Sequence, residues 1–259
     1  MKGKTIAITG GTTGIGRAIA WEFLKEGARV AVCGRSVEKL KRFRDETESF
    51  ENKVFYEKAD VIDSVSMEKF ADHVEEHLGS LDVWINNAGI GINKPLMEYT
   101  LEEYDDVMNT NLKAVFTCSR IAAKRMMRKG SGGVIINASS WTAKIPHADG
   151  AVYAASKAGV SSLTKSLAAN LAPYHIRVLS YLPGMIATEI SSKEISLYHD
   201  DYVRNIAMQR LGVPEDIAKP VVFLASDAAG YITGVDVEIS GGKFAAQNCG
   251  LSWQRTKRK

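Results

Sequence analysis

The fold is indicated by one stretch near the N-terminus, Thr5-Ile6-Ala7-Ile8-Thr9-Gly10-Gly11-Thr12-Thr13-Gly14-Ile15-Gly16. Its first five residues are a short β-prone run, and the glycines that follow are typical of a tight turn. A helical pattern comes next, with apolar residues at helix spacing from Ile19 to Leu24 and Gly27 as its stop signal. A second β-prone run, Arg29-Val30-Ala31-Val32-Cys33, completes a βαβ unit.

The glycine turn predicts a phosphate site, because the unpaired N–H groups at the start of a helix attract anions. Its spacing is Gly-x-x-x-Gly-x-Gly rather than the common Gly-x-Gly-x-x-Gly, but its position between a strand and a helix favours nucleotide binding over a plain turn. An acid about 20 residues further on would bind the ribose 2′-hydroxyl of NAD. Arg35 follows the second strand instead, and it can pair with a 2′-phosphate, which favours NADP. A solvated surface arginine is the alternative.

Strands and helices keep alternating along the rest of the chain. The pattern predicts helices over 37–50, 67–78 and 101–129, from 151 and from 214, and strands over 54–59, 81–85, 133–137, 177–181 and 235–239. With no linker or internal repeat, we expect one α/β domain over residues 1–259. Residues 189–210 are polar and weakly patterned, which predicts a mobile lid.

Tyr153 and Lys157 lie four residues apart on the helix predicted from Ala151, so they share one face. An ammonium group within about 4–6 Å favours the phenolate form of tyrosine. Tyr153 is therefore a candidate general acid or base. The same spacing occurs on many helices, where a packed tyrosine and a solvated lysine have no role in chemistry.

Charge and cysteine content narrow the function class. The chain has 33 Lys and Arg against 30 Asp and Glu, and four of these cations lie in the last five residues, Arg255-Thr256-Lys257-Arg258-Lys259. The nearly neutral remainder gives no reason to expect nucleic-acid or membrane binding, and we expect the basic end to be solvated. Three distant cysteines suggest no disulfide framework, and no signal-peptide core or membrane span is visible, so we predict a cytoplasmic protein.

One segment imitates a metal site. His73-Val74-Glu75-Glu76-His77 matches the His-x-x-Glu-His pattern of some zinc proteases. The predicted helix around it has an ordinary apolar stripe and a Glu-rich, solvated setting. We therefore expect no metal, and we expect a chelator to leave activity unchanged.

Several short motifs occur together in one order along the chain. They are Thr9-Gly10-x3-Gly14-Ile15-Gly16, Asn86-Asn87-Ala88-Gly89, Asn111, Ser140, Tyr153-x3-Lys157 and Pro183-Gly184-x3-Thr188. In combination they resemble the short-chain dehydrogenase/reductase family from about residue 4 to residue 243. The resemblance implies a single Rossmann-type, doubly wound domain with a seven-stranded parallel sheet, assembled as a homotetramer or homodimer.

The resemblance also implies roles for four catalytic residues. Tyr153 would protonate the carbonyl oxygen during reduction, and Lys157 would lower the pKa of Tyr153 and hold the nicotinamide ribose. Ser140 would donate a hydrogen bond to the substrate oxygen, whereas its neighbour Ser139 is expected to be structural. Asn111 would position Lys157 through a water relay.

Cofactor contacts follow from the same resemblance, with NADP(H) favoured and NAD(H) as the alternative. The matching positions are Gly10, Thr12, Thr13, Ile15, Arg35, Asp60, Val61, Asn87, Gly89, Tyr153, Lys157, Pro183, Gly184, Ile186 and Thr188. Asp60 and Val61 would flank the adenine, and Thr188 would meet the carboxamide. Many NADP-dependent members carry a second basic residue where this chain has Thr13, so the NADP preference depends on Arg35 and the missing acid.

The expected substrate pocket consists of Trp141, Ile145, His147, Met185 and the lid, without a clear cationic clamp. This mixture suits a neutral or apolar ketone. The tail over about 243–259 resembles that of bacterial hydroxysteroid dehydrogenases, so we favour a hydroxysteroid-like or other apolar secondary alcohol. A 3-oxoacyl-acyl-carrier-protein reductase is the alternative, although Ala172-Pro173-Tyr174-His175 lacks the basic residue such enzymes commonly carry there. A non-catalytic NAD(P) sensor is the alternative from another class.

Overall fold

Seven parallel strands form one sheet in the computed structural model, which describes residues 1–256. They are β1 (Thr5–Thr9), β2 (Arg29–Gly34), β3 (Val54–Lys58), β4 (Val83–Asn86), β5 (Gly133–Ala138), β6 (Ile176–Pro183) and β7 (Asp236–Ile239). Their order across the sheet is β3-β2-β1-β4-β5-β6-β7. The order reverses between β1 and β4, and a reversal of this kind opens a crevice at the carboxyl ends of the strands. The predicted doubly wound α/β fold is confirmed.

Helices cover both faces of this sheet. They are α1 (Gly14–Lys25), α2 (Val37–Glu46), α3 (Ser64–Leu78), α4 (Leu101–Met108), α5 (Ala114–Lys129), α6 (Ala151–Leu171), α7 (Ser192–Arg204), α8 (Pro214–Ala225) and α9 (Leu251–Thr256). Alternation along β1 shows how the layers form: Ile6 and Ile8 pack in the core that contains α1 and α8, while Ala7 packs in the core that contains α3 and α5. None of the described helices is long and apolar enough to cross a bilayer.

A buried polar ladder aligns the carboxyl ends of the central strands. The Nδ2 atom of Asn86 donates to Oδ1 of Asn137 at 2.8 Å and to the Ser119 hydroxyl at 3.0 Å. Asn137 in turn donates to the Thr164 hydroxyl at 2.9 Å. Asn86 and Asn137 are direct partners in the parallel register of β4 and β5. Because every member of this ladder is satisfied, the ladder fixes where both strands end.

The structure corrects the predicted bounds of several elements. A π-helical turn, Asn109–Lys113, interrupts the helix predicted over 101–129. Helix α3 begins three residues early because the carboxylate of Asp63 accepts hydrogen bonds from the first N–H groups. Residues predicted as a weakly patterned lid contain α7, which bends at Tyr198 and has no buried residue. The mobility of that segment stays a prediction, and Lys257–Lys259 of the basic end lie outside the described residues.

Candidate active site

The glycine turn leads from β1 into α1 and leaves the helix start open to an anion. Among the described residues, no side chain caps the first N–H groups, and the first turn has no acidic residue. A Cβ atom at Gly16 would approach the Gly10 carbonyl oxygen and the Asn87 Nδ2 atom to 2.4 Å. Gly10 has a φ of +64°, which favours glycine. The turn is therefore a tight cradle of backbone N–H groups, which suits a pyrophosphate.

Asn87, which directly follows β4, holds this cradle in place by hydrogen bonds. Its Nδ2 atom donates to the carbonyl oxygens of Thr9 and Gly10, each at 3.1 Å, and its Oδ1 atom accepts from the Tyr181 hydroxyl at 2.9 Å. The Thr9 hydroxyl accepts from the backbone N–H of Asn87 at 3.0 Å. These bonds connect β1, β4 and β6 at the point where the strand order reverses. They hold the cradle and the adjoining cleft in one geometry.

The far end of the cleft carries positive charge. Arg35 follows β2, is exposed, and makes no hydrogen bond or ion pair with residues 1–256. Lys39, in the first turn of α2, lines the same end and pairs with Glu189 at 2.9 Å. Asp60 and Val61 form the neighbouring wall after β3. An unpartnered guanidinium at the open end of a cleft is able to bind a phosphate.

Tyr153, Lys157 and Ser140 come together at the opposite end of the same cleft. Lys157 Nζ lies 5.7 Å from the centre of the Tyr153 ring and donates to the Ala138 carbonyl oxygen at 2.8 Å. Ser140 lines the cleft with Tyr153, where it lowers the pKa of the phenol, and its Oγ atom accepts from the Thr142 N–H at 3.2 Å. These residues meet because β5 ends at Ala138 and the first turns of α6 pass beside that strand end.

Burial shifts the pKa values of both catalytic candidates on α6. It raises the pKa of Tyr153, the hydrogen bond with Ser140 works in the opposite direction, and the negative charge of Glu194 raises the pKa further. Burial lowers the pKa of Lys157 to about 8, so the ammonium form still dominates at neutral pH. The predicted lowering of the Tyr153 pKa by Lys157 stays a prediction.

Asn111 lies behind the cleft, in the π-helical turn, and it is fully buried. Its Oδ1 atom accepts from the Ile90 N–H at 2.9 Å, and its Nδ2 atom donates to the Ile90 carbonyl oxygen at 2.8 Å and to Ser156 at 3.2 Å. It therefore fixes the loop after β4 against α6, while the predicted water relay stays a prediction. Ser139 bonds the Lys157 carbonyl oxygen and Ser161, each at 2.9 Å, inside the fold.

One cleft of about 730 Å³ joins these parts, a size that suits a dinucleotide together with a small substrate. Its lining includes all predicted cofactor residues: Gly10, Thr12, Thr13, Ile15, Arg35, Asp60, Val61, Asn87, Gly89, Tyr153, Lys157, Pro183, Gly184, Ile186 and Thr188. Ser140 and the predicted substrate residues Trp141, His147 and Met185 also line it. Ile145 does not, because the turn after Trp141 leaves it 43% exposed at the surface.

Two charged groups in this region, Glu194 and Lys243, were not named as site residues from the sequence. Glu194, in the first turn of α7, lines the cleft. Lys243 is only 3% exposed, and its Nζ atom lies 4.5–4.9 Å from the ring centres of Trp141, Phe244 and Tyr202. No short motif marks either residue. Only their positions in the sequence pointed to them, because Glu194 lies within the predicted lid and Lys243 directly follows the glycine pair Gly241-Gly242.

The two histidines of the zinc-protease-like segment, His73 and His77, contact different partners. His73 Nδ1 lies 3.0 Å from a Glu57 carboxylate oxygen, and His77 stacks on Phe55 with ring centres 4.5 Å apart. The ring centres of His73 and His77 are 6.4 Å apart. Across residues 1–256, no group of three His, Cys, Asp or Glu side chains is arranged to hold a metal ion.

A dinucleotide cradle and a Tyr-Lys-Ser cluster in one cleft define a class of Rossmann-type oxidoreductases that act on CH–OH groups or ketones. The sequence pattern of the short chain dehydrogenase family matches residues 4–197. This chain belongs to that family, whose members use NAD(P)(H).

Three curated relatives are similar to almost the whole chain. A 3-oxoacyl-[acyl-carrier-protein] reductase FabG of Staphylococcus aureus is 39% identical, over 93% of this chain and 98% of the relative. An L-rhamnose 1-dehydrogenase (NAD(P)(+)) of Azotobacter vinelandii is also 39% identical, over 93% and 96%. A 3alpha-hydroxysteroid dehydrogenase of Mediterraneibacter gnavus is 35% identical, over 93% and 97%.

The fold is also similar to solved structures. A short-chain type dehydrogenase/reductase from Mycobacterium marinum superposes with a TM-score of 0.90 and 35% sequence identity, covering 95% of this chain and 97% of that one. This likeness agrees with the single seven-stranded domain seen here.

Proposed function

We propose that the protein interconverts a ketone and a secondary alcohol with NADP(H) as its preferred cofactor. The observation that supports this most strongly is the meeting of Tyr153, Lys157 and Ser140 in the cleft that also contains the glycine cradle. The tight approach at Gly16, the uncapped start of α1 and the unpartnered Arg35 fit the pyrophosphate and a 2′-phosphate of such a cofactor.

Each catalytic side chain then has a separate task. When bound in this cleft, a nicotinamide cofactor would supply the hydride for the carbonyl carbon. Tyr153 donates its phenolic proton to the carbonyl oxygen as negative charge develops there, and it takes the proton back in the reverse reaction. Ser140 donates a hydrogen bond to the same oxygen. The Lys157 ammonium stabilises the phenolate left on Tyr153.

Two cations support NADP over NAD. Arg35 has no partner among the described residues, and Lys39 contributes a second positive charge at the same end of the cleft. The second charge is partly neutralised by its pairing with Glu189, so Arg35 is the stronger candidate for the 2′-phosphate. NAD(H) remains the alternative cofactor.

Three substrate classes follow from the similar proteins: hydroxysteroids, 3-oxoacyl thioesters and sugars. Trp141 and Met185 in the cleft support an apolar secondary alcohol such as a hydroxysteroid. The 3-oxoacyl class remains the second candidate.

The test compares Tyr153→Phe with Tyr174→Phe, in which an exposed tyrosine outside the cleft loses the same hydroxyl group. We expect Tyr153→Phe to lower kcat by about 100-fold or more, because it removes the general acid. NADPH binding, followed by nucleotide fluorescence, should be preserved, and Tyr174→Phe should behave like the wild type. Turnover that survives in Tyr153→Phe would contradict the mechanism.

A further inference from the structure

The substrate end of the cleft contains a carboxylate without a cationic partner. Glu194 Oε1 accepts from the Asn93 Nδ2 atom at 2.5 Å, and Oε2 accepts from the Tyr202 hydroxyl at 3.4 Å. Glu194 forms no ion pair with residues 1–256. Glu194 and Asn93 both line the cleft that also contains Tyr153.

Two observations place Glu194 near the catalytic phenol. The negative charge of Glu194 raises the pKa of Tyr153. The loop that carries Asn93 also passes the phenol ring, since a Cβ atom at Gly91 would lie 3.9 Å from the Tyr153 ring. A ligand whose carbonyl oxygen meets Tyr153 would therefore extend into a cleft that Asn93 and Glu194 also line.

This polar pair has unused hydrogen-bonding capacity. An ionised carboxylate offers about four acceptor positions, and the described residues fill two of those on Glu194, one of them with a long bond. The Oδ1 atom of Asn93 has no donor among the described residues. Hydroxyl groups on a substrate would fill these positions. A purely apolar substrate would remove water from the carboxylate without replacing it, which is costly.

A cationic substrate fits less well. The Lys157 ammonium lies at the reaction centre, and Lys193 lines the same cleft beside Glu194. Both would repel a second positive charge. A neutral, hydroxyl-bearing ligand satisfies Glu194 without that repulsion.

We propose that Glu194, positioned by Asn93, selects substrates that carry a hydroxyl group close to the reacting carbon, as in sugars, polyols and α-hydroxy ketones. The proposal rests on the ketone reductase function above, and it replaces the wholly apolar alcohols suggested by Trp141 and Met185 with hydroxyl-bearing substrates that contact those side chains through their apolar carbons. Glu194 accepts the substrate hydroxyl, and Asn93 offers its Oδ1 atom as a second acceptor. Wholly apolar ketones are then poor substrates.

The experiment uses two ketones that differ by one hydroxyl group, 2-hydroxycyclohexanone and cyclohexanone, with NADPH. The enzymes compared are the wild type, Glu194→Gln, Glu194→Leu and Asp200→Asn. Asp200 is exposed on the same helix and does not line the cleft, so Asp200→Asn controls for the loss of one charge from α7.

We expect the wild type to prefer the hydroxy ketone by about 10-fold or more in kcat/KM. Glu194→Leu should bring this ratio close to one, because kcat/KM should fall for the hydroxy ketone and not for cyclohexanone. Glu194→Gln, which keeps one acceptor oxygen, should retain an intermediate ratio, and Asp200→Asn should keep the wild-type ratio.

Other outcomes separate the two proposals. The proposed role of Glu194 is wrong if the wild type reduces both ketones equally well through Tyr153. It is also wrong if Glu194→Leu lowers kcat/KM equally for both ketones. In either case the ketone reductase function stands. If the protein binds NADPH but reduces neither these ketones nor steroid and 3-oxoacyl ketones, and oxidises no sugar or polyol with NADP+, both proposals are contradicted.

Discussion

The proposed preference for NADP(H) depends on Arg35. It is exposed at the end of β2, where its guanidinium lines the cleft and has no partner among residues 1–256. We expect Arg35→Asp to lower the NADPH to NADH ratio of kcat/KM by 10-fold or more, since a charge-assisted contact is worth about 1–3 kcal/mol. Lys41→Asp, a charge reversal on α2 outside this cleft, should leave the ratio nearly unchanged. An unaltered ratio in Arg35→Asp would reject Arg35 as the selector.

Lys243 makes stability depend on pH. Burial among three aromatic rings lowers the pKa of Lys243 from its ordinary 10.5 to about 8, so between these values the unfolded chain holds one proton more than the folded protein. The free energy of unfolding that this residue contributes therefore rises with pH in that window. From pH 7.5 to 9.5, we expect the wild type to gain about 2 kcal/mol relative to Lys243→Met.

Urea unfolding of both proteins at both pH values measures this gain. Lys157, Cys33 and Cys118 also titrate with shifted pKa values, but they are present in both proteins and cancel in the difference. A difference that does not change with pH would mean that the folded protein leaves the Lys243 pKa near its ordinary value.

The candidate catalytic residues were easier to predict from the sequence than the charged residues Glu194 and Lys243. Tyr153 and Lys157 lie at a helical spacing that local pattern reveals, while the resemblance to a family indicated Ser140, two residues after β5. Glu194 reaches Asn93 across 101 residues of chain, and Lys243 meets Trp141 across a similar separation. No local pattern encodes such contacts, because they depend on how α7 and the C-terminal segment pack over the sheet edge.

Helix α1 and its preceding turn are a single element whose geometry depends on Gly16. A methyl group there would lie 2.4 Å from the Gly10 carbonyl oxygen, a backbone atom that cannot move without opening the turn. We expect Gly16→Ala to destabilise the fold by about 1–3 kcal/mol and to weaken NADPH binding by 10-fold or more. Gly250→Ala, whose methyl group would have an ordinary contact of 3.5 Å with Gln209, should change stability by about 0.5 kcal/mol or less. Tight NADPH binding by Gly16→Ala would contradict the assignment of the turn as the phosphate cradle.

The sequence predicted the buried strands and helices well and the exposed helices poorly. The strands β1, β2 and β5 are apolar runs, and a run of that kind leaves little choice of conformation. Helix α7 has no buried residue, so it lacks the apolar stripe that reveals a helix in sequence. The π-helical turn at Asn111 follows from the hydrogen bonds of one buried side chain, which periodicity does not report.

Large apolar side chains are exposed in two helical regions of the described chain, among other places. Leu101 and Phe116 are exposed on the consecutive helices α4 and α5, while Phe223 and Tyr231 are exposed on and after α8. Exposed aromatic groups of this kind mark protein contacts, and two self-complementary surfaces build a tetramer with dihedral symmetry. The expected homotetramer would use both surfaces.

Light scattering of the purified protein tests this assembly. We expect the wild type to be a tetramer, Phe116→Asp and Tyr231→Asp each to give a dimer, and the double variant to be a monomer, because a buried unpaired carboxylate destabilises an interface. Val65→Asp, at an exposed valine of α3 outside both surfaces, should remain a tetramer. A monomeric wild type, or single variants that stay tetrameric, would show that these surfaces do not join the subunits. In either case the cleft is built within one chain, so dissociated subunits should still bind NADPH.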